Sequence, residues 1–499
     1  MRSSESTLKT VKEEVFLEYC AGSSIHGVRY FDSTERTSCE RFWWIIVFSL
    51  SMIGCGTMIY KTYTKWDQNP IIVSFSEKTT PVSEIQFPSV TICPETKVST
   101  ARLNFTAEIN ALDVNRRDPN STLIADTIGK LKVFAQVCGP YFFLSNSYLE
   151  NLNGTDENEF VNTLRKISVS RHKVLQWCVV GWKSCNRYLK ETVTENGLCY
   201  SFNMLPQDKI MRQAALHNDY TYMKDWDEDY DEEPFAYPFH AISGLTQGYK
   251  LMLHEAGEYP QVSKYNIRIP LGHEMSIAVK PQIITTSQSA ADYHWSKRQC
   301  FFDNERHLRF FRIYNQENCE LECLTNITLA SCGCVRFSMP RAHGTDVCSL
   351  DKWNCMHVAH AFFRGRPFSG KKRFGVTAPD QTTNAPNNSS ECNCLPACSS
   401  TQYDVELAGN HPDRVTMSKV AIFFKKSHII TSRRSELYGM VDFLANCGGL
   451  LGLFMGVSIL SLLEICYYIT MRPFSLRKKK ERRRSNREAM PCRACFEND

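Results

Sequence analysis

Two apolar runs near opposite ends of the chain constrain it more than any other feature. Phe42 to Tyr60 (FWWIIVFSLSMIGCGTMIY) is 19 residues without a charge, close to what a helix needs to cross a hydrocarbon core of ~30 Å. It opens on Trp43 and Trp44, rings that favour the membrane interface. Phe443 to Met471 carries Glu464 as its only charge, and its 29 residues would reach roughly 43 Å as one helix. That exceeds a straight perpendicular crossing, so this run must tilt, break or project. A cleaved leader is the plain alternative for the first run, but 41 mixed residues precede it and no small-residue cleavage site follows it, so a span is expected.

Over the whole chain the composition is that of a protein with a packed, water-facing part. Mean hydropathy is -0.32 and charged residues make up 22%, which excludes a polytopic transporter and a disordered chain. A net charge of +5 over 499 residues gives nucleic-acid binding no support. Orientation follows from two signals. Sequons at Asn104, Asn120, Asn153, Asn326, Asn387 and Asn388 all lie between the runs, which makes the middle extracellular. Arg472 to Arg487 (RPFSLRKKKERRRSNR) holds nine basic residues against one acid, as a cytoplasmic flank does, and the same block is a candidate contact for anionic lipid head groups.

The chain has 22 cysteines, 15 of them between residues 61 and 437 and ten of those between Cys300 and Cys398, a density typical of disulfide scaffolds. Cys319 and Cys323 would share one face of a helix, and Cys392 and Cys394 one face of a strand. A helix stapled to an extended segment is expected. Zinc is disfavoured because Cys332-Gly333-Cys334 and Cys392-Asn393-Cys394 have one-residue spacers in an oxidising compartment. No metal or organic cofactor is expected. Nor is an enzyme, since no nucleotide loop, His-Glu-x-x-His or Gly-x-Ser-x-Gly motif occurs. The acidic run Asp225 to Glu233 (DWDEDYDEE) lacks the spaced glycine and terminal glutamate of an EF-hand loop and reads as a solvated insert.

Gly448, Gly452 and Gly456 recur every four residues in the second run, a spacing that lets backbones approach closely. Helix packing alone leaves Ser458 and Glu464 unexplained, because an acid in a span is costly unless it faces water or a partner.

Several motifs, in order, resemble the degenerin/epithelial sodium channel family, especially its insect pickpocket branch. They are Ser24-Ile25-His26-Gly27, Phe87-Pro88-Ser89-Val90-Thr91-Ile92-Cys93, Gly197-Leu198-Cys199-Tyr200-Ser201-Phe202-Asn203, Tyr314-Asn315-Gln316 leading to Cys319-x3-Cys323, Cys332-x-Cys334, Cys392-x-Cys394-x3-Cys398, and Gly448-Gly449-Leu450-Leu451-Gly452-Leu453-Phe454-Met455-Gly456-Val457-Ser458. The resemblance implies disulfides Cys93–Cys199, Cys178–Cys185, Cys300–Cys398, Cys319–Cys394, Cys323–Cys392, Cys332–Cys355 and Cys334–Cys348, with Cys138 left over and buried as a small hydrophobe. It implies a selectivity filter at Gly456, Val457 and Ser458, with Val457 where many relatives have alanine. It also implies gating positions at His26, Gly27 and Ala445. The outer-pore acid of acid-sensing relatives is Asn446 here, so Asp442 is the candidate substitute, and Glu464 is the second pore-lining acid. Acid-sensing relatives also have histidines outside the first span where Pro70 to Phe75 stands here, which argues against proton gating. Trp66 and Trp295 lie near positions where relatives have a contacting pair of rings.

The expected fold class is an α+β membrane protein, two transmembrane helices flanking a large, disulfide-rich, mostly β extracellular domain with a helical subdomain. The expected segments are a cytoplasmic N-terminal piece (1–41), a first transmembrane helix (42–60), the extracellular domain (61–437), a second transmembrane helix with the pore (438–471) and a basic cytoplasmic tail (472–499). The expected function is a subunit of a homo- or heterotrimeric, amiloride-sensitive, sodium-selective channel in the plasma membrane, both termini cytoplasmic. Sodium is the permeant ion, membrane lipid a partner, and a small molecule or peptide a candidate ligand. The alternatives are a non-conducting accessory subunit or surface receptor of the same fold, and an ATP-receptor-type channel.

Overall fold

The computed structural model describes residues 14–31, 37–68, 70–115, 122–138, 157–185, 188–216, 239–243, 248–364, 392–411 and 417–488. Four of the sequons (Asn120, Asn153, Asn387, Asn388) and the acidic run lie outside them. The chain divides into two compact units, one of Met1–Ile72 with Ser435–Asp499 and one of Val73–Arg434.

Among the described residues the helices of eight or more residues are α1 (14–22), α2 (Ser38–Gln68), α3 (Phe105–Asn115), α4 (Thr122–Cys138), α5 (Glu157–Ile167), α6 (Gln316–Cys332), α7 (Trp353–Phe363), α8 (Met440–Met455) and α9 (Ile459–Glu488). The first unit holds α1, α2, α8 and α9. In α2 the helix outruns the apolar stretch, because Lys61 to Gln68 contains no helix breaker and Pro70 then disfavours helical backbone at the preceding residue. By length and composition α2 suits a membrane crossing, and α8 with the first part of α9 passes the same test as a pair bent by 71°. The surplus length of the second run thus goes into a break and a projection. The helix continues past Pro473 into the basic block, whose residues are good helix formers.

The second unit is built on two sheets. Its strands are β1 (Ile71–Pro81), β2 (Ser89–Pro94), β3 (Trp177–Val180), β4 (Lys183–Ser184), β5 (Lys190–Thr194), β6 (Gly197–Phe202), β7 (Phe239–Ser243), β8 (Tyr249–His254), β9 (Ile267–Ile269), β10 (Glu274–Thr286), β11 (Ser400–Asn410), β12 (Ser418–Phe424) and β13 (His428–Glu436). The larger sheet runs β1-β13-β10-β12-β7-β3-β4, with β11 also on β10, and the smaller runs β5-β6-β2-β8-β9. Strand β10 runs parallel to β12 and β13 and antiparallel to β11. Every residue of β2 and β6 is buried, so hydroxyls on these strands need partners in the protein. They find them: Thr91 Oγ1 lies 2.7 Å from Ser201 Oγ and 2.8 Å from His254 Nε2, and Thr192 Oγ1 lies 2.8 Å from the same Ser201. The main core joins these strands to α4 and α5 through Val133, Phe160, Leu164, Tyr200 and Phe202.

With five helices of this length in its sequence range, the unit is mixed rather than mostly β. Helix α6 starts where Asn315 Oδ1 accepts from Asn318 N at 2.7 Å, a side-chain N-cap. It stops at Gly333, whose φ of 73° closes the C-terminus in the left-handed conformation glycine adopts readily. The seven disulfides are Cys93–Cys199, Cys178–Cys185, Cys300–Cys398, Cys319–Cys394, Cys323–Cys392, Cys332–Cys355 and Cys334–Cys348, the pairs the resemblance implies. One expectation fails in detail: Cys392 and Cys394 are not on a strand. Asn393 between them has φ 44°, outside the extended region, and the turn there brings both sulfurs to the α6 cysteines four residues apart. Cys138 ends α4 half-buried against the main core, and burial pushes its thiol pKa up. The two described sequon asparagines, Asn104 and Asn326, are exposed.

Candidate pore and gating site

The break in the second apolar run is made of ordinary helix-ending chemistry. Gly456 has φ 68° and donates its N–H to Gly452 O at 2.8 Å, while Val457 N reaches Leu451 O at 3.3 Å. A left-handed glycine with such bonds satisfies the last carbonyls of a helix. Ser458 then restarts one. Its Oγ accepts from Ser461 N at 3.2 Å, and Ser461 Oγ accepts from Ser458 N at 3.1 Å, a reciprocal cap built like a capping box with serine in the place of glutamate. Gly456-Val457-Ser458 is therefore stop, link and start, and α8 and α9 meet there at 71°.

The segment between α1 and α2 seats on this break. His26 N donates to Met455 O at 2.9 Å, and the imidazole lies over Gly456 so closely that a Cβ there would stand 2.6 Å from His26 Nδ1. Cys20, Ile25, Val28 and Met455 form a buried apolar cluster with Val457 and Phe454 packed against it. Ser24 Oγ reaches Ser461 Oγ at 2.8 Å and Glu464 Oε2 at 3.0 Å. Farther along α9, Arg472 pairs with Glu18 and Lys480 with Glu14 at 2.8 Å. On the α2 side Ser51 Oγ donates to Phe454 O at 2.9 Å. Gly54 leaves room for the Phe454 ring, which would lie 3.3 Å from a Cβ at that position.

Gly27 follows with φ 89° and the Phe48 ring 3.3 Å from where a Cβ would stand. Both the backbone and the space favour glycine. Gly27→Arg is expected to lower single-channel open probability while leaving surface protein in place, read by patch recording beside surface biotinylation. Unchanged open probability would remove Gly27 from gating.

At the other end of α8, Ala445 and Asp442 are exposed on the protomer. Asp442 Oδ2 accepts from Gly439 N at 3.1 Å, so the acid expected to attract cations also caps its own helix. Trp66 stacks on Phe443 at 5.1 Å and donates from Nε1 to Tyr438 O at 3.1 Å. In the second unit Trp295 packs on Phe301 at 5.3 Å. Gly448 and Gly449 have nothing within 4 Å of an added Cβ, whereas Gly452 and Gly456 face Val457 O and His26. The glycine stripe is thus filled at its inner end and open at its outer end.

In the second unit a groove of about 890 Å³ lies between β8, β11 and the start of α6, lined by residues including Glu255, Glu258, Lys264, Glu317, Tyr403 and Asp404. Lys264 bridges Glu317 at 2.5 Å and Glu320 at 2.6 Å. Burial, then the Glu317 and Glu255 charges, push the Glu258 carboxyl up to about 8. A carboxyl that holds its proton more firmly folded than unfolded stabilises the fold below its unfolded pKa, and loses that contribution as pH rises through the folded value. Thermal stability of the solubilised protein is therefore expected to fall between about pH 4.5 and 8, and Glu258→Gln is expected to flatten that slope. An identical slope in the variant would disprove the assignment. Glu255 and Glu258 were not singled out from sequence, because nothing in His254-Glu255-Ala256-Gly257-Glu258 marks either acid as enclosed. Among the described residues no group of three or more His, Cys, Asp or Glu side chains is arranged to hold a metal ion.

Comparison with known proteins places the chain in a family. The chain is 27% identical to Pickpocket protein 28 of Drosophila melanogaster, over 93% of its own length and 80% of that protein's. It is 24% identical to the sodium channel protein Nach of the same fly, over 91% and 86%, and 22% identical to acid-sensing ion channel 2 of Mus musculus, over 93% and 87%. The model of the family described as amiloride-sensitive sodium channel matches residues 19–468, from α1 to well into α9, and the chain belongs to that family.

Proposed function

We infer that this chain is a subunit of a trimeric, sodium-selective, amiloride-sensitive cation channel of the plasma membrane. Both termini are cytoplasmic, and the disulfide-rich unit faces the outside, where it receives the gating stimulus. The observation that carries this reading is the break itself: a membrane-length helix pair interrupted at Gly456-Val457-Ser458, with His26 seated on the glycine. A span that served only as an anchor has no use for an interrupted ladder, whereas oxygen-bearing backbone in a span suits a constriction that replaces part of an ion's hydration shell. Sodium enters down its gradient past Ser458, and Asp442 and Glu464 supply negative charge on either side of the break. The relatives' names support the ion, and the family description supports amiloride as the blocker.

Ser458→Leu tests the reading. It removes a hydroxyl and adds bulk at the proposed constriction, so the sodium current is expected to vanish or its reversal potential to shift, with surface protein unchanged. Wild-type current and selectivity from this variant would reject the pore assignment.

A further inference from the structure

Two buried arginines of the second unit, Arg298 and Arg434, lie within reach of each other's charge, and only one of them is matched. Arg298 is fully used. Its Nη1 donates to Ala291 O and Tyr293 O at 2.7 Å each, and its Nη2 to the Glu305 carboxylate. The same carboxylate oxygen accepts from Phe302 N at 2.8 Å. Arg434 stands on β13 opposite Thr286 of β10, where its carbonyl accepts from Ser287 N at 2.8 Å. Strand alternation sends the neighbouring Arg433 out to solvent and Arg434 inward, 8% exposed. The Arg434 guanidinium makes no hydrogen bond or ion pair among the described residues, and its Nη1 is enclosed without a partner.

A lysine in this place could shed its proton, but a guanidinium stays charged. Burial pushes the Arg434 pKa down and the Arg298 charge pushes it the same way, with no described carboxylate pulling against them. Two guanidinium groups against the one Glu305 carboxylate leave a surplus of one positive charge in a place shielded from water. A buried charge without a counter-charge is costly, and a buried donor without a partner calls for an ion or a water to complete it. A surplus of one charge selects a monovalent partner, and an enclosed nitrogen selects a small one.

We propose that Arg434, with Arg298 adding to its field, binds a small monovalent anion from the solvent, chloride being the abundant one outside cells. The site does not depend on the pore reading; it takes from the proposed function only the extracellular placement of this unit, which names the ion.

The test needs no current. Full-length protein in detergent is melted at constant ionic strength while sodium gluconate, whose anion is too bulky for an enclosed site, is exchanged for sodium chloride. By ~0.15 M chloride the wild type is expected to gain about tenfold in its ratio of folded to unfolded protein, a rise in Tm on the order of 1–2 °C along a saturating curve. Arg434→Gln stays polar without the surplus charge and is expected to melt alike in both salts. Arg434→Lys keeps the charge without the planar fork, so it is expected to keep the rise but to need several times more chloride for half of it. A wild-type Tm indifferent to chloride would overturn the proposal, and so would a full chloride-dependent rise in Arg434→Gln. If chloride does nothing to the wild type while Arg434→Gln breaks up the oligomer, a carboxylate of a second copy answers the charge and the solvent anion is rejected. Should Arg434→Gln not fold, the wild-type curve and Arg434→Lys still decide: no saturation, or an unmoved half-saturation point, rejects the site. Unchanged current from Ser458→Leu would reject the pore reading and leave this site standing.

Discussion

Ala445→Val is expected to produce a standing, amiloride-sensitive sodium current and sodium-dependent swelling of the cells that express it. Ala445 lies on α8 two turns before the last turn of the helix and is exposed on the protomer, the condition for a residue that meets its counterparts in an assembled pore. If three copies approach the axis when the gate is shut, each added pair of methyl groups overfills that packing at about 1–3 kcal/mol per site. Three such sites together exceed the roughly 5.5 kcal/mol that inverts an equilibrium from 1:99 to 99:1 once each costs near the middle of that range. A lipid-facing alanine would tolerate the change, and the current would stay as it was. Recording is needed from the chain alone and with related subunits. Silence in every combination, with surface protein confirmed, would assign this chain to the accessory subunits.

The second large effect is expected at Gly456. Two independent costs meet there: φ of 68°, which L side chains rarely adopt, and a Cβ position 2.6 Å from His26 Nδ1. A left-handed residue other than glycine costs about 1–2 kcal/mol, and the clash must be relieved by moving either the imidazole or the break. Gly456→Ala is therefore expected to abolish current with little loss of surface protein. Combining it with His26→Ala removes the clash and keeps the backbone cost, so partial recovery is expected. Full-size currents from Gly456→Ala alone would mean that neither the turn nor its contact with His26 matters for conduction.

How far the sequence reached depends on whether a feature leaves a spacing behind. An uncharged run measures itself against the bilayer, and the excess length of the second run by itself calls for a tilt, break or projection. Cysteines four apart located the face of α6. The cap that makes the break, by contrast, is a pair of serines three residues apart, a pattern too common to mark anything alone. The Ser24–Ser461 contact joins residues with no regular offset, so no periodicity reports it. The irregular backbone at Cys392 to Cys394 escaped because alternation by two is also what a turn with one left-handed asparagine produces. The helices α3 to α5 were underestimated for a different reason: the expectation of a mostly β domain came from the resemblance and not from the residues between 105 and 167.

Helix endings also decide which atoms at the break are still available. The carbonyls of Leu451, Gly452 and Met455 accept from backbone amides and that of Phe454 from the Ser51 hydroxyl, so four oxygens at the end of α8 are already occupied by the protein itself. On the pore reading proposed above, the coordinating capacity of the turn would pass to the peptide oxygens of Gly456 and Val457. The Val457 side chain packs toward the cluster around Met455. Val457 is then a matter of inner fit, and in the proposed trimer the electronegative ring that three such turns would compose is written in main-chain atoms common to every residue type.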